Sequence, residues 1–190
     1  MTIGTQADIC FQTNLRGFNL SFTSTWGLFS PKTIDAGTKL LIDHMEIGEN
    51  DRCLDLGCGY GAIGLVMAKI AQDSEVYMVD KDFVAIEYTE RNIKENHLSN
   101  CHVFLSNGFS HIPKMKFDVI TSNLPANVGK EMLHILLSDA RRYLKKRGKL
   151  YVVTISGLRE FIKRNFISVF GNYEKIKQHK THTVAMATKV

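Results

Sequence analysis

From residue 51 to residue 155 the sequence alternates short β-rich runs with longer amphipathic stretches. Runs rich in β-branched and aromatic residues predict strands, and apolar residues that recur at helical spacing predict helices. The predicted strands are 52–56, 75–80, 101–105, 117–122 and 149–155, and the predicted helices are 62–71, 83–96 and 130–144. Such alternation predicts an α/β fold in three layers, a Rossmann-like, mostly parallel sheet with helices on both faces.

The two ends of the chain depart from this alternation. After a predicted helix at 158–166, the β runs 173–178 and 181–188 are joined by only two residues, and so short a connection predicts an antiparallel hairpin. At the other end, the β runs 9–13 and 18–22 predict a short ribbon within residues 1–30, followed by a helix over 33–45. With 190 residues and 44% hydrophobic content, we expect residues 1–190 to form a single domain, with the α/β core in residues 31–190.

The composition argues against export and against a membrane location. Residues 1–11 have neither the basic leader nor the apolar core of a signal peptide. No stretch approaches the roughly 20 apolar residues that a membrane-spanning helix needs. The four cysteines include no Cys-x-x-Cys pair, and the seven histidines show no metal-ligand spacing. We therefore expect a cytoplasmic protein with reduced thiols and no metal.

Charge is distributed unevenly along the chain. Residues 1–140 carry 11 Lys and Arg against 17 Asp and Glu, whereas residues 141–190 carry 13 against 2. A basic C-terminal quarter attracts phosphates through its summed charge, which favours RNA as a partner. The alternative is that Arg141, Arg142, Lys145, Lys146 and Arg147 only solvate and complement the end of the helix predicted at 130–144.

A glycine-rich segment, Gly57-Cys58-Gly59-Tyr60-Gly61, directly follows the strand predicted at 52–56. Glycine permits positive φ and lets a ligand approach the backbone, and the start of the next helix offers free N–H groups. The next strand ends in Asp80, 19 residues after Gly61, near the offset of roughly 20 at which an acidic residue meets a ribose hydroxyl. The predicted nucleoside site comprises Asp55, Gly57, Cys58, Gly59, Asp80 and the adjacent Lys81.

The same glycine segment also fits the dinucleotide pattern G-x-G-x-x-G, at residues 59–64. Asp55 stands just before the glycines, where its charge would repel a pyrophosphate and attract the cationic amino group of a methionine moiety. Charge therefore favours S-adenosylmethionine. A nicotinamide-dependent oxidoreductase and a glycine turn without a ligand remain the alternatives.

The residues after the third core strand are suited to contact an adenine. The amide oxygen of Asn107 can accept a hydrogen bond from the adenine amino group, Gly108 permits the turn, and Phe109 can cover the ring. The alternative is that Asn-Gly is simply a good turn pair.

The fourth core strand is followed by Asn123-Leu124-Pro125-Ala126. An exocyclic amine of a base is a poor nucleophile because its lone pair is delocalised, so a site must hold its N–H groups and direct the lone pair. The side-chain oxygen of Asn123 and the backbone carbonyl of Leu124 can accept those hydrogens, while Pro125 stiffens the turn. This segment resembles that of class I methyltransferases that modify planar amino nitrogens and carry Asn-Pro-Pro-aromatic here.

Two upstream segments, Trp26-Gly27-Leu28-Phe29-Ser30 and residues 34–41, extend this resemblance. Together with residues 55–61 and 117–123, they are similar to the catalytic half of the ribosomal small-subunit guanine-N2 methyltransferase family over about residues 15–190. The resemblance implies that Phe29, Ser30 and Thr38 line the mouth shared by cofactor and substrate, and Trp26 is a further candidate for substrate contact. Without the resemblance, these residues read as a ribbon, a helix start and ordinary core.

The sequence departs from the family pattern at two points. Larger family members carry an additional N-terminal half that this sequence does not include. Leu124 stands where the first proline is usual, and Ala126 stands where an aromatic residue would stack on the target base. That change removes about 1 to 3 kcal/mol of stacking unless Trp26, Phe29 or Phe109 replaces it.

We therefore expect methyl transfer from S-adenosylmethionine to an exocyclic amine of an RNA base, guanine N2 in ribosomal RNA being favoured. Adenine N6 or a protein glutamine amide is an alternative acceptor, because the same amine-capturing turn serves each. An adenosylmethionine-binding or RNA-binding module without catalysis is the alternative from another class.

Overall fold

The computed structural model describes residues 8–126 and 129–190, so residues 1–7 of the predicted ribbon lie outside the described residues. The strands are β1 Ile9–Leu15, β2 Phe18–Ser24, β3 Cys53–Leu56, β4 Val76–Asp80, β5 Cys101–Leu105, β6 Phe117–Asn123, β7 Leu144–Ile155, β8 Glu174–Gln178 and β9 His182–Thr188. The helices are α1 Ala36–His44, α2 Ala62–Ile70, α3 Phe83–Glu95, α4 Lys130–Tyr143 and α5 Arg159–Phe170, with a 3-10 turn at Ser156–Leu158. Every helix within residues 8–126 and 129–190 is too short or too polar to span a lipid bilayer.

Seven strands form one sheet in the order β5-β4-β3-β6-β7-β9-β8, and β1 and β2 form a separate antiparallel ribbon. Strands β3 to β7 pair with one another in parallel, whereas β9 is antiparallel to both β7 and β8. The predicted parallel core and C-terminal hairpin are therefore confirmed. The hairpin joins the sheet through β9 because the interior of β9 is buried, whereas four of the five residues of β8 are exposed.

The helices cover both faces of the sheet, which gives the three predicted layers. One apolar cluster joins α1, α2, α3 and the ribbon to one face, through side chains such as Leu41, Leu65 and Phe22. The other joins α4 and α5 to the opposite face, through side chains such as Leu137 and Phe166. The carboxyl ends of the parallel strands are left at one edge of the sheet, where ligands bind in open α/β folds.

Three predicted boundaries differ from the structure by three or more residues: the start of α1, the start of β7 and the end of α5, which lies at Phe170 and not at residue 166. Helix α1 begins at Ala36 and not at residue 33, because the Asp35 side chain caps it by accepting hydrogen bonds from the backbone N–H groups of Gly37 and Thr38. Strand β7 begins at Leu144 and not at residue 149. The register shifts between Phe117 and Val119 of β6, which pair with Leu144 and Lys149, so the extra residues form a bulge.

This bulge changes the interpretation of part of the basic run. Three of these cations, Lys145, Lys146 and Arg147, lie in the bulge at the start of β7, after α4 has ended. Arg147 has a φ of +65°. Only Arg141 and Arg142 occupy the last turn of α4. The helix-end interpretation therefore applies to two of the five cations.

Candidate functional site

The glycine segment lies at the carboxyl end of β3 and bonds to the end of β4. The N–H groups of Gly57 and Cys58 both donate to the carbonyl of Val79, at 2.8 and 3.0 Å. Gly57 and Gly59 have positive φ, and a Cβ atom added to either would meet no described atom within 4 Å. The backbone is therefore exposed as an open cradle, as a ligand that contacts main chain requires.

A further glycine, Gly64 in the first turn of α2, has a packing role. A Cβ atom at this position would clash with the Met78 sulfur atom. Glycine therefore allows α2 to approach β4 closely, which places the start of α2 against the cradle.

The Asp55 carboxylate lies beneath the cradle and is fully buried. One oxygen accepts from the Gly64 N–H at 2.9 Å, and the other accepts from the Thr121 hydroxyl at 3.3 Å. Burial raises the pKa of Asp55 to about 7, although both hydrogen bonds act in the opposite direction. Asp55 therefore fixes β3, α2 and β6 to one another, and its side chain does not open onto the ligand face.

Cys58 contributes backbone and not thiol chemistry. Its sulfur atom is buried 3.6 Å from the Thr89 hydroxyl, and burial raises the pKa of the thiol well above its usual value. A buried protonated thiol is a poor nucleophile.

Asp80 lies beside the cradle, as the sequence spacing predicts. One carboxylate oxygen accepts from the Gly59 N–H at 2.9 Å and the other from the Asp82 N–H at 3.0 Å. The side chain is partly exposed, and Lys81 next to it is exposed. The acidic group that ends β4 is thus brought to the glycine segment.

Two exposed apolar side chains, which the sequence analysis missed, flank Asp80. Leu105 is the cross-strand partner of Asp80 and is 48% exposed, and Phe83, the first residue of α3, is 68% exposed. Apolar surface beside a carboxylate suits a nucleoside, which has a flat ring and a polar ribose. Their positions in the sequence could have identified them. Leu105 is the last residue of β5 and Phe83 is the first residue of α3, and both of these ends lie at the edge of the sheet where the parallel strands end, which we call the ligand edge.

The turn after β5 also reaches this edge, but its aromatic residue does not. Asn107 is exposed, Gly108 has a φ of +58°, and the Ser106 hydroxyl donates to the Gly108 carbonyl at 2.8 Å. Phe109 is only 6% exposed and stacks on Tyr143 with ring centroids 4.9 Å apart. The Phe109 ring belongs to the core, so it neither covers an adenine nor replaces the aromatic residue missing at Ala126.

Asn123, the last residue of β6, has an amide group with a fixed orientation. Its side-chain nitrogen donates to the Thr38 hydroxyl at 2.9 Å and to the Asp35 carboxylate at 3.2 Å. The nitrogen of a side-chain amide has two N–H donors and its oxygen is an acceptor only. Because the two donors have these partners, the oxygen of Asn123 is the group left to accept hydrogens from a ligand.

The turn after Asn123 is anchored at its first residue. The Leu124 N–H donates to the Val153 carbonyl at 3.0 Å, and the Leu124 side chain is buried. Pro125 and Ala126 are exposed. Asp35 was missed by the sequence analysis as a partner of Asn123, since only the fold brings two residues 88 positions apart together.

The segment from Trp26 to Thr33 is tied to the glycine segment by Tyr60. The Tyr60 hydroxyl donates to the carbonyls of Ser30 and Thr33 at 3.2 and 3.3 Å. Burial raises the pKa of Tyr60, which keeps the hydroxyl protonated as a donor. Trp26 and Phe29, which precede the carbonyls that Tyr60 binds, are 51% and 67% exposed.

Most of the predicted site residues therefore meet at one edge of the sheet. The exceptions are Asp55, which supports the edge from below, and Phe109, which is in the core. Among residues 8–126 and 129–190, no group of three or more His, Cys, Asp or Glu side chains is arranged to hold a metal ion.

Comparison with known proteins places this geometry in a family. The model of the methyltransferase small domain family matches residues 19–186. The uncharacterized protein YbxB of Bacillus subtilis is 36% identical over 141 residues, which are 73% of this chain and 70% of that protein. The ribosomal RNA small subunit methyltransferase C of Hamiltonella defensa is 32% identical over 168 residues, which are 85% of this chain and 48% of that enzyme.

A solved structure is also similar over the whole chain. The T. thermophilus 16S rRNA N2 G1207 methyltransferase, in complex with AdoMet and guanosine, superposes with a TM-score of 0.90 at 22% identity, and covers 100% of this chain and 52% of its own. The chain thus spans about half the length of these ribosomal RNA methyltransferases. By its family match and its fold, the chain belongs to the methyltransferase small domain family and has the class I S-adenosylmethionine-dependent methyltransferase architecture.

Proposed function

We propose that this protein transfers the methyl group of S-adenosylmethionine to an exocyclic amine of an RNA base, with guanine N2 in ribosomal RNA as the acceptor. The observation that carries the proposal is the orientation of Asn123, whose amide nitrogen is bound to Thr38 and Asp35 so that its oxygen is free to accept hydrogens from the ligand. The ribosomal RNA methyltransferases among its relatives support the choice of acceptor.

The residues at the sheet edge fit S-adenosylmethionine. In the cradle of Gly57, Cys58 and Gly59, the two glycines leave open space where a side chain would stand, as a bound methionine moiety and ribose require. In this proposal Asp80 accepts hydrogen bonds from the ribose hydroxyls, Lys81, Asn107 and Gly108 surround the adenine, and Asp55 supplies negative potential from beneath in its ionised form. When bound, the cofactor supplies an electrophilic methyl group on a sulfonium.

The residues after β6 would hold the acceptor amine. The Asn123 side-chain oxygen and the Leu124 backbone carbonyl each accept one N–H, which directs the nitrogen lone pair at the methyl carbon. Pro125 limits the motion of this turn. Methylation would leave the amine cationic and acidic, so the residues that hold it need supply no strong base and its proton would pass to water.

The target base needs a stacking surface that Ala126 does not provide. Two exposed aromatic residues, Trp26 and Phe29, stand just before Ser30 in the sequence. Their segment is attached to the glycine segment by the hydrogen bonds from the Tyr60 hydroxyl to the carbonyls of Ser30 and Thr33. We assign Trp26 and Phe29, with Ser30 as the turn residue, to contact with the base. The buried Phe109 has no part in this contact.

The wider role follows from charge and composition. We assign RNA contact to the basic C-terminal quarter, and residues 1–190 to one methyltransferase domain that works in the cytoplasm. The 13 to 2 excess of cations over anions in residues 141–190 supports the first assignment.

Substitution of Asn123 tests the proposed chemistry. Asn123→Ala removes the acceptor and is expected to lower kcat by about 100-fold, the size of effect seen when one positioned polar group is deleted from an active site. S-adenosylmethionine affinity, followed by calorimetry, should change less than about twofold. Thr38→Ser, which keeps the hydroxyl, is the matched control for Thr38→Val, which loses it and should also lower kcat.

Acceptor identity is tested with tritiated S-adenosylmethionine and separate pools of ribosomal RNA, transfer RNA and ribosomal protein. Counts are expected in ribosomal RNA, and digestion should release N2-methylguanosine. Label only in protein would favour the glutamine amide, and label in N6-methyladenosine would favour adenine. If the Asn123→Ala variant is as active as the wild-type protein, the proposed capture of the amine by this turn is wrong.

A further inference from the structure

We infer that the RNA strand approaches the site over the β8–β9 hairpin, with its phosphates contacting Lys175, Lys177 and Lys180, and not over the longer basic run at residues 141–147. We call the three lysines the hairpin cluster, and the cations of residues 141–147 the distal cluster. This inference rests on the proposed function and specifies which part of the basic quarter serves it.

The register of the sheet places the hairpin cluster level with the proposed active site. Asn123 pairs with Val153 of β7, Val153 pairs with Val184 of β9, and Val184 pairs with Lys177 of β8. Lys177 therefore lies in the same transverse row as Asn123, three strands away, or about 14 Å at the usual strand spacing.

Lys180 lies beyond this row, on the side of the ligand edge. It follows β8 in the turn before β9, and that turn is held to the end of β7 because the Ser156 N–H donates to the Thr181 carbonyl at 2.8 Å. The distal cluster occupies the opposite edge. Lys146 lies in the β7 bulge opposite residues 117–119 of β6. Those residues precede Asn123 by four to six positions, or about 13 to 20 Å along the strand.

The first residue of β9 connects the hairpin to the amine-capturing group. A Cβ atom on Gly37 would lie 2.7 Å from the His182 ring and 2.9 Å from the Asp35 carboxylate, so the ring lies against the start of α1. The same Asp35 oxygen accepts from Asn123. The hairpin turn is therefore linked to Asn123 through His182, the start of α1 and Asp35.

The two clusters also differ in how far acidic neighbours offset their charge. In the distal cluster, Arg142 pairs with Asp139 and Lys145 pairs with Asp118, whereas the other three cations, at residues 141, 146 and 147, form no ion pair among the described residues. Lys146 and Arg147 line a cavity of about 420 Å³ together with Glu46, Asp51 and Asp118.

Within the described chain, Lys175, Lys177 and Lys180 form no ion pair. All three are exposed, and the polar contact recorded for them is that of the Lys175 ammonium with the Gln178 side chain, at 3.5 Å. Phosphates bind most favourably to cations whose charge is not already offset.

Lysines on an edge strand have another common use, which is to prevent edge-to-edge aggregation. Lys175 and Lys177 satisfy that description, whereas Lys180 lies outside the strand, in the turn. The experiment must therefore separate RNA affinity from self-association.

The test compares two triple variants of the full chain. Lys175→Gln/Lys177→Gln/Lys180→Gln removes the hairpin charges, and Arg141→Gln/Lys146→Gln/Arg147→Gln removes the same number from the distal cluster. Affinity for a fluorescein-labelled, guanine-containing 20-nucleotide RNA is measured by anisotropy over a range of KCl concentrations. Circular dichroism, S-adenosylmethionine calorimetry and size-exclusion chromatography serve as controls.

The hairpin variant is expected to bind the RNA roughly tenfold or more weakly, and its salt slope should fall by about 2, since each lost phosphate contact removes about 0.7 from the slope for a single strand. The distal variant should retain the wild-type slope, and both variants should bind S-adenosylmethionine normally.

Three results would overturn the inference: an equal loss of RNA affinity in both variants, a larger loss in the distal variant, or new aggregation of the hairpin variant with unchanged RNA affinity. Failure of the wild-type protein to bind any RNA would overturn the proposed function as well. The two failures are distinguishable, because this one is seen with the wild-type protein, before any variant is compared.

Discussion

The Asp55 carboxylate shows how one residue can constrain the site without facing the ligand. Its oxygens bond to Gly64 and Thr121, which belong to two different elements, and the side chain is fully buried. Burial disfavours the charged form, and this raises the pKa to about 7 from a usual value of 3.8. The geometry of the glycine segment is thereby coupled to a group that titrates near neutral pH.

This coupling predicts a pH-dependent contribution to stability. The folded protein holds the proton more tightly than the unfolded chain, so the contribution is fully present below about pH 4 and is lost as the pH rises through about 7. Asp55→Asn keeps an acceptor for Gly64 but cannot ionise. Relative to this variant, wild-type unfolding free energy should fall by on the order of 4 kcal/mol between pH 4 and pH 8.

Urea unfolding of both proteins at several pH values measures this difference directly. Comparison with the asparagine variant cancels the other titrating groups. A difference that stays constant across the pH range would show that Asp55 ionises equally in the folded and unfolded states.

At the scale of elements, helix α3 attaches the β1–β2 ribbon to the core through asparagine side chains. The Asn92 side-chain oxygen accepts from the Thr23 N–H at 2.7 Å, and its nitrogen donates to the carbonyls of Thr23 and Tyr60 at 3.0 and 2.8 Å. One turn later, Asn96 makes the corresponding pair of bonds to Ser21. The two side-chain amides bond to backbone N–H and carbonyl groups on one edge of β2, as a neighbouring strand would.

Removing Asn92 should therefore detach the ribbon. Asn92→Ala leaves three buried backbone groups unpaired and is expected to reduce the free energy of unfolding by about 3 kcal/mol. Amide hydrogens of residues 18–24 should exchange faster, as followed by mass spectrometry. Asn14→Ala, which removes an exposed amide of the ribbon turn, should cost only about 0.5 kcal/mol. Equal losses in the two variants would argue against this role for α3.

At the scale of the whole molecule, charge is segregated between an acidic first part and a basic last quarter. The fold does not gather the basic residues into one patch, because β7 begins at one edge of the sheet and the β8–β9 turn lies at the other. RNA attraction should therefore be electrostatic in origin, while the fit of the cofactor depends on local contacts at the cradle.

The two ligands should therefore respond differently to salt. Between 50 and 300 mM KCl, the logarithm of the RNA binding constant is expected to fall with a slope of about −2, the value for three phosphate contacts on a single strand. S-adenosylmethionine affinity should change less than about twofold. Anisotropy and calorimetry on the same preparation measure both. RNA affinity that is insensitive to salt would contradict an electrostatic surface.

Local sequence determined the elements of this protein and the kind of loop at its centre. The periodicity of apolar residues predicts nearly every strand and helix, because side-chain spacing within an element depends on that element alone. Glycines that require positive φ, followed by Asp80 at the expected offset, also predict the cradle. The two-residue link between the last β runs excludes a parallel pair.

Only the tertiary structure decided which side chains share the site. It brings Asp35 to Asn123, places Phe109 against Tyr143 in the core, turns Asp55 beneath the glycines, and sets Lys177 level with Asn123. Each of these contacts depends on strand order and register, which are set by the packing of distant segments. Periodicity within one segment carries no information about which neighbour lies beside it or in what register.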